Sequence, residues 1–418
     1  MVELQNDCFA MGSDLMPYHE ALDILHARID AVPDTELVDL RDALDRIAAE
    51  DVIAPRSVPP HDNAAVDGFA VYFDDLSPDH ETRLPVTGRI AAGHPLGRPA
   101  GRGEALRVFT GAPMPPGPDT IFFQEDCVFE DETVVLKPGI KRGANYRKAG
   151  EDIQANSKII NKGQRLRAQE IGLTASVGCV SLKTYRRLKA AVFSTGDEVR
   201  DPKDEAPDGC VFDANRYSIM SMLKNLDVIV TDLGILPDSK TAIKKALKAA
   251  AHDHDLLITS GGASQGEEDH IAISVQELGA LHFWRLAIKP GRPLALGQVG
   301  NAAFIGLPGN PVAVMVTFMQ IARPVILKLA GCLETTPPMY KIRAEFDHQK
   351  KRGRREWLRA KLVRADDGIL GAEKFHTDGA GILSSMAFAD GLIELSEDQG
   401  PFSRGTMVDF LPFNEVRR

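Results

Sequence analysis

Apolar positions change their period several times along the chain. From residue 14 to 55 they follow helical steps: Leu15, Tyr18, Leu22, Leu25 and Ile29 alternate three and four apart, and RDALDRIAAEDV repeats the pattern after Thr35 to Leu40. This spacing predicts helices up to Pro55. From 56 to 150 the texture becomes short β-like runs, VDGFAVYF, RLPVTGRIAAG, EALRVFTGA, DTIFFQED and ETVVLK, divided by Gly and Pro clusters, which predicts a mostly β segment. QEIGLTASVGCVSLKTY then returns to a short helix and a strand, so 14–55 and 151–186 read as one discontinuous helical domain interrupted by a β domain at 56–150.

Between 187 and 330 strands and helices alternate: LKAAVFST, FDANRYSIMSMLKNL, DVIVTDLGIL, SKTAIKKALKAAAH and DLLITS. That rhythm predicts a parallel sheet with helices on both faces. NPVAVMVTFMQIARPVILKLAG reads as a long apolar helix with Pro311 near its start and a bend before Pro324. The short alternating segments MYKIRAEF, REWLRAKLV, GLIELS and TMVDFLPF suit a small β domain over 331–418. The fold class is therefore multi-domain, α/β plus β, without internal repeats.

Composition narrows the function. A chain of 418 residues with 44% hydrophobic and 26% charged residues is globular and large enough for several cores. Its formal net charge of −10 lacks the broad positive field that nucleic acid or an anionic membrane would require, so an anionic ligand must meet locally placed cations. The five cysteines are scattered and form no C-x-x-C pair, which argues against a zinc site or a disulfide framework. The N-terminal residues show no basic start or apolar core of a leader, and no run of 18 apolar residues occurs, so a cytoplasmic location is expected.

In an open parallel sheet the ligand crevice lies at the carboxyl ends of the strands. Three loops expected there are polar or Gly-rich. STGDEV places Ser194, Thr195, Gly196 and Glu198 at one strand end; TSGGASQGEED brings Gly261, Gly262, Ser264 and Asp269; GLPGNP brings Pro308 and Asn310 to the start of the long helix. One such loop is usually just a turn, but three in one domain point to phosphate. Glu198 and Asp269 beside them suit Mg²⁺, which takes one or two carboxylates together with phosphate oxygens. KPGRP adds Lys289 and Arg292, local cations in an acidic protein. In the β segment, PPHDNAAVDGFAV carries Asp62 and Asp67, and FTGAPMPPGPD carries Thr110.

The stretches PHDNAAVDGFAV, TGAPMPPGPD, RKAGEDI, STGDEV, FDANRYSIMSML, TSGGASQGEEDHI, KPGRPLALG and GLPGNPVA occur in the order of the molybdopterin molybdenumtransferase family, which includes the C-terminal domain of gephyrin, and the chain resembles that family from about residue 14 to its end. The resemblance implies an L-shaped homodimer of four-domain chains. It also implies an α/β domain like that of molybdopterin adenylyltransferases and a small C-terminal β-barrel. By motif position it implies active-site roles for Asp67, Thr110, Glu198, Asp238, Asp269, Arg285 and Lys289, completed by Arg354 or Arg355 and by Ser384 or Ser385. Asp152 falls in a family motif without an assigned role. Val66, Phe69, Ala214 and Gln265 depart from the usual Met, Tyr, Ser and apolar residue; none removes a charged group.

The implied activity is insertion of molybdate into adenylylated molybdopterin with hydrolysis and release of AMP. Mg²⁺ between Glu198 and Asp269 would face the phosphates, Lys289 and Arg285 the oxyanion, and hydroxyls with one Arg of KKRGRR would cage the tetrahedral dianion. The implied partners are a second copy sharing composite active sites, the pterin substrate, and passing contact with other molybdenum cofactor biosynthesis proteins, but neither nucleic acid nor membrane. A molybdopterin adenylyltransferase would share the α/β domain but not the long front and β tail. A competence-damage-type pyrophosphatase would lack the Asp67 and Thr110 motifs. A gephyrin-like scaffold would not need Asp67, Glu198, Asp269 and Lys289 intact.

Overall fold

The computed structural model describes residues 15–32, 34–261 and 270–416, with the side chain of Phe283 outside the description. Gly262, Ser264, Gln265 and Asp269 therefore lie outside the described residues.

A six-stranded sheet organises 189–307. Its order is Ile229–Leu236, Lys189–Thr195, Leu256–Ser260, Ala302–Leu307, Pro293–Val299, Gly279–Arg285. The first four are mutually parallel, but Pro293–Val299 runs antiparallel to both neighbours, so the sheet is mixed and not all-parallel as the strand–helix rhythm predicts. The cause is local. Val299 pairs with Ala302 across the two-residue Gly300-Asn301 turn, and Gly300 takes φ +57°, which folds the chain back as a hairpin. Helix Lys240–Asp253 buries Ile243, Leu247 and Ala250 at helical spacing. With Ile271 and Val275 of helix His270–Leu278 they form the core on one face of the sheet. Helix Ala214–Lys224 buries Ile219 and Leu223 in the core of the other face.

The long helix is interrupted as its sequence suggests. It runs Pro311–Thr317, passes through a π turn at Phe318–Ala322, and continues as Arg323–Leu329. Pro324 supplies no N–H to the carbonyl of Gln320 four residues earlier, and the π turn sits at that position. By length and mean hydropathy this 19-residue helix could cross a membrane, yet 89% of its most apolar 18-residue window is buried inside the protein.

The first helix, Tyr18–Arg28, buries Tyr18, Ala21 and Leu25 in the same core as the sheet, the long helix and Trp357. The second helical stretch expected before Pro55 is absent. Thr35–Asp39 is a strand antiparallel to Ser181–Tyr185, followed by the single 3₁₀ turn Leu40–Asp42, and Val52–Ile53 pairs with Lys158–Ile160. TELVD has its own alternating, β-branched pattern, and tertiary pairing with Ser181–Tyr185 overrides the helix propensity of the neighbouring RDALDRIAAEDV.

Between these pairs lies a second six-stranded sheet, ordered Thr120–Phe123, Gly68–Val71, Ala105–Val108, Thr82–Ile90, Thr133–Leu136, Val128–Glu130. At the other end of the chain five strands close a barrel: Arg355–Arg364, Leu370–Lys374, Tyr340–Ala344, Met407–Pro412 and Gly391–Leu395, the last pairing back to the first. A short strand, Ile288–Lys289, adds in parallel to the start of Arg355–Arg364 and fastens the barrel to the α/β sheet.

Candidate functional site

Topology gathers most of the sequence-predicted residues at one edge. Ser194 stands beside Ser260 and Ser260 beside Leu307 in register, so the loops after three parallel strands emerge together. Asp238 comes just after the fourth, Ile229–Leu236, at the same edge. Arg285 ends Gly279–Arg285 opposite Pro293, where the Lys289–Arg292 loop enters the sheet. The backbone amide of Gly261 donates to the carbonyl of Leu307 over 3.0 Å, and the side-chain amide of Asn215 to the carbonyl of Gly309 over 2.7 Å, joining the loops laterally.

Beside this edge, between the sheet and the barrel, lies a cleft of about 390 Å³. Of the predicted residues, Lys289, Arg292, Pro308, Asn310 and Arg354 line it. Three further lining residues, Glu356, Arg359 and Asp378, were not predicted. Cations from two separate parts of the chain thus converge in a protein whose net charge is −10. Gly291 makes the approach possible. It adopts φ +94°, and a Cβ there would lie 2.3 Å from the Thr317 hydroxyl of the long helix.

The strand pairing of Lys289 with Glu356 puts their charges in contact, Nζ to Oε1 at 2.5 Å. Burial works to raise the Glu356 pKa, but His348, 3.6 Å away, and the hydrogen-bonded ammonium of Lys289 outweigh it and bring it down to about 2. Arg359 is buried, and its guanidinium donates to the Ser385 hydroxyl at 3.0 Å and to the carbonyls of Thr377 and Gly379. Burial holds its pKa below the ordinary arginine value.

These contacts separate the pairs that sequence left open. Arg355 is buried away from the cleft, bonded to Glu394, Glu397 and His19, while Arg354 faces the cleft. Ser385 is fully buried and its hydroxyl is committed, donating to the carbonyl of Ile382 and accepting from Arg359; it holds an arginine and is not open to a ligand. Ser384 is exposed and does not line the cleft. The amino end of the long helix is partly taken as well, since the amide of Val312 donates to the carbonyl of Ala380.

Ser194, Thr195, Gly196, Glu198, Asp238, Gly261 and Arg285 share the sheet edge but do not line this cleft. Ser194 is buried and, among the described residues, its hydroxyl has no hydrogen-bond partner. Glu198 is exposed, with its carboxylate against Gly196, where a Cβ would stand 2.7 Å from Oε2. Behind these loops Arg216 is buried and contacts the carboxylates of Asp201, Asp213 and Asp232; Asp213 and Arg216 lie in the FDANRYSIMSML stretch, but the sequence alone does not single out the cluster. Among the described residues no group of three or more His, Cys, Asp or Glu side chains is arranged to hold a metal unaided.

Asp67 and Thr110 meet in the inserted β domain. The backbone amide and the hydroxyl of Thr110 both donate to Asp67 Oδ1 at 2.8 Å, and these two bonds, the amide foremost, hold the Asp67 carboxyl below its usual range. Position 68 must be glycine because the neighbouring strand leaves no room: a Cβ would fall 1.7 Å from the carbonyl oxygen of Phe122. No residue of 62–147 lines the cleft between sheet and barrel.

Comparison with known proteins finds matches along most of the chain. Residues 16–178 match the MoeA N-terminal region (domain I and II), residues 191–328 the probable molybdopterin binding domain, and residues 341–413 the MoeA C-terminal region (domain IV). A molybdopterin molybdenumtransferase of Haemophilus influenzae is 37% identical over 384 residues, covering 91% of this chain and 95% of that protein. One from a Nostoc species is 32% identical, covering 93% and 86%. The crystal structure of the molybdopterin biosynthesis moeA protein from Pyrococcus horikoshii superposes with a TM-score of 0.80 at 27% identity, over 96% of this chain and all of that one. Identity at this level over nine-tenths of the length, with all three regions matched in order, shows that the chain belongs to the molybdopterin molybdenumtransferase family.

Proposed function

We propose that this transferase inserts molybdate into adenylylated molybdopterin with release of AMP, and that the cleft between sheet and barrel receives the oxyanion. The observation that carries this reading is the convergence of Lys289, Arg292 and Arg354 on one concave site of an otherwise acidic chain. A tetrahedral dianion offers four oxygens to such donors, and charge-assisted bonds to Arg and Lys give both retention and orientation.

The phosphates of the adenylylated pterin then lie along the sheet edge, over Ser194, Thr195, Gly196 and Gly261. Among the described residues the buried Ser194 hydroxyl is an unused donor and acceptor at that place. An exposed carboxylate beside a Gly loop, near a hydroxyl without a partner among the described residues, suits Mg²⁺, which completes its shell with phosphate oxygens and water. In this proposal Glu198, with Asp269, would hold the ion, and Mg²⁺ would neutralise phosphate charge. Arg285 and Asp238 flank the same edge.

The proposed assembly is a homodimer in which the Asp67–Thr110 pair of one chain faces the sheet edge of the other, since within one chain residues 62–147 add nothing to the cleft. The four-part division of the chain and a cytoplasmic location belong to the same proposal. The test is incubation of the purified protein with adenylylated molybdopterin, Mg²⁺ and molybdate. Molybdate-dependent AMP release with one metal inserted per pterin supports the reading; AMP release indifferent to molybdate overturns it.

A further inference from the structure

Lys289 is the cleft cation paired with a carboxylate: its side chain is 44% exposed, while its partner Glu356 is 8% exposed. Arg359 is held by a hydroxyl and two carbonyls, and nearby Lys350 by the carbonyls of Lys351, Arg354 and Gln399. The ammonium of Lys289 is held by a carboxylate, an anion of the same kind of chemistry as the ligand proposed for the cleft.

We infer that Glu356 is an internal counter-ion, which an incoming oxyanion must displace from Lys289 and which thereby sets the molybdate concentration needed to fill the cleft. The inference rests on the oxyanion reading of the cleft given above. Displacement does not strand a buried charge. Glu356 Oε2 lies 3.6 Å from His348 Nε2, and the charges of Lys350 and Arg359 also act on this carboxylate. When Lys289 turns to the oxyanion, Glu356 therefore keeps cationic and polar company from the barrel, which avoids the large cost of an isolated buried carboxylate. The exchange trades one half-exposed ion pair for another, so its influence on binding is modest, of the size such pairs contribute.

Equilibrium dialysis of the full chain against molybdate at fixed ionic strength tests this. Glu356→Gln keeps the shape and removes the competing charge, so it should bind molybdate more tightly than wild type, by about three-fold or more. A positioning or purely structural role predicts the opposite sign, because a loosened Lys289 or barrel weakens the site; unchanged or weaker binding overturns the inference. Should Glu356→Gln not fold, Glu356→Asp withdraws the carboxylate from Lys289 by one methylene while keeping its charge among the barrel cations, and the same tightening is expected. A wild-type chain that binds molybdate but shows no molybdate-dependent AMP release overturns the proposed reaction and leaves this comparison readable. A wild-type chain that binds no molybdate overturns both.

Discussion

The hydroxyl of Tyr18 lies 3.2 Å from the carbonyl oxygen of Gln320, where Pro324 leaves that carbonyl without its usual helical donor. The ring meanwhile packs edge-on against Trp357 with centroids 5.2 Å apart. One side chain of the first helix thus bridges the long helix of the α/β sheet and the barrel, the two bodies whose junction forms the cleft.

Tyr18→Phe keeps the ring contact and removes the donor. It should cost about 1 kcal/mol of unfolding free energy, the net worth of a buried hydrogen bond, whereas Tyr18→Ala should cost about 3–5 kcal/mol by leaving a cavity. Urea unfolding midpoints measured with unchanged slope check both values.

Glu356 makes stability depend on acidity in a defined direction. Its pKa falls from the ordinary value of 4.5 to about 2 on folding, so its ionised form stabilises the folded chain above about pH 4.5, and this contribution is lost as pH falls toward 2. Wild type should therefore exceed Glu356→Gln in stability at pH 7, and the gap should narrow steadily below pH 4.5. A gap that widens on acidification contradicts the role given to this carboxylate.

How far the sequence discloses this site depends on whether its parts are local. The strand-end loops are legible because each is a contiguous pattern: apolar run, then Ser, Gly and carboxylates, as in Ser194 to Glu198. Pro311 and Pro324 likewise act on their own neighbours. Glu356 and Arg359 escape notice because REWLRAKLV reads only as an alternating strand. Their role comes from the pairing of Ile288–Lys289 with Arg355 and Glu356, a contact 67 residues apart in sequence. The choice of Arg354 over Arg355, and the burial of Ser385, rest on the same non-local closure of the barrel. Residues 41–52 mislead since their helical propensity is local, while the strands flanking them pair with Ser181–Tyr185 and Lys158–Ile160. Asp269, singled out by its motif, stands outside the described residues.

Composite active sites predict complementation. Inactive Asp67→Ala and inactive Asp269→Ala chains, mixed and allowed to exchange, should recover roughly a quarter of wild-type activity per site, since about half the dimers are hybrids with one intact site each. Sedimentation or differential tagging confirms exchange. Exchange without recovery places Asp67 and Asp269 in the same site of one chain.

The central claim is that Lys289 and its neighbours in the cleft receive the oxyanion, and Lys289→Ala tests it most directly. Loss of a charge-assisted contact worth about 1.5–3 kcal/mol should raise the molybdate concentration for half-maximal AMP release by roughly ten-fold or more. The concentration of adenylylated molybdopterin for half-maximal rate should move far less. A variant whose molybdate dependence matches wild type, or whose pterin dependence shifts as much as its molybdate dependence, contradicts the account.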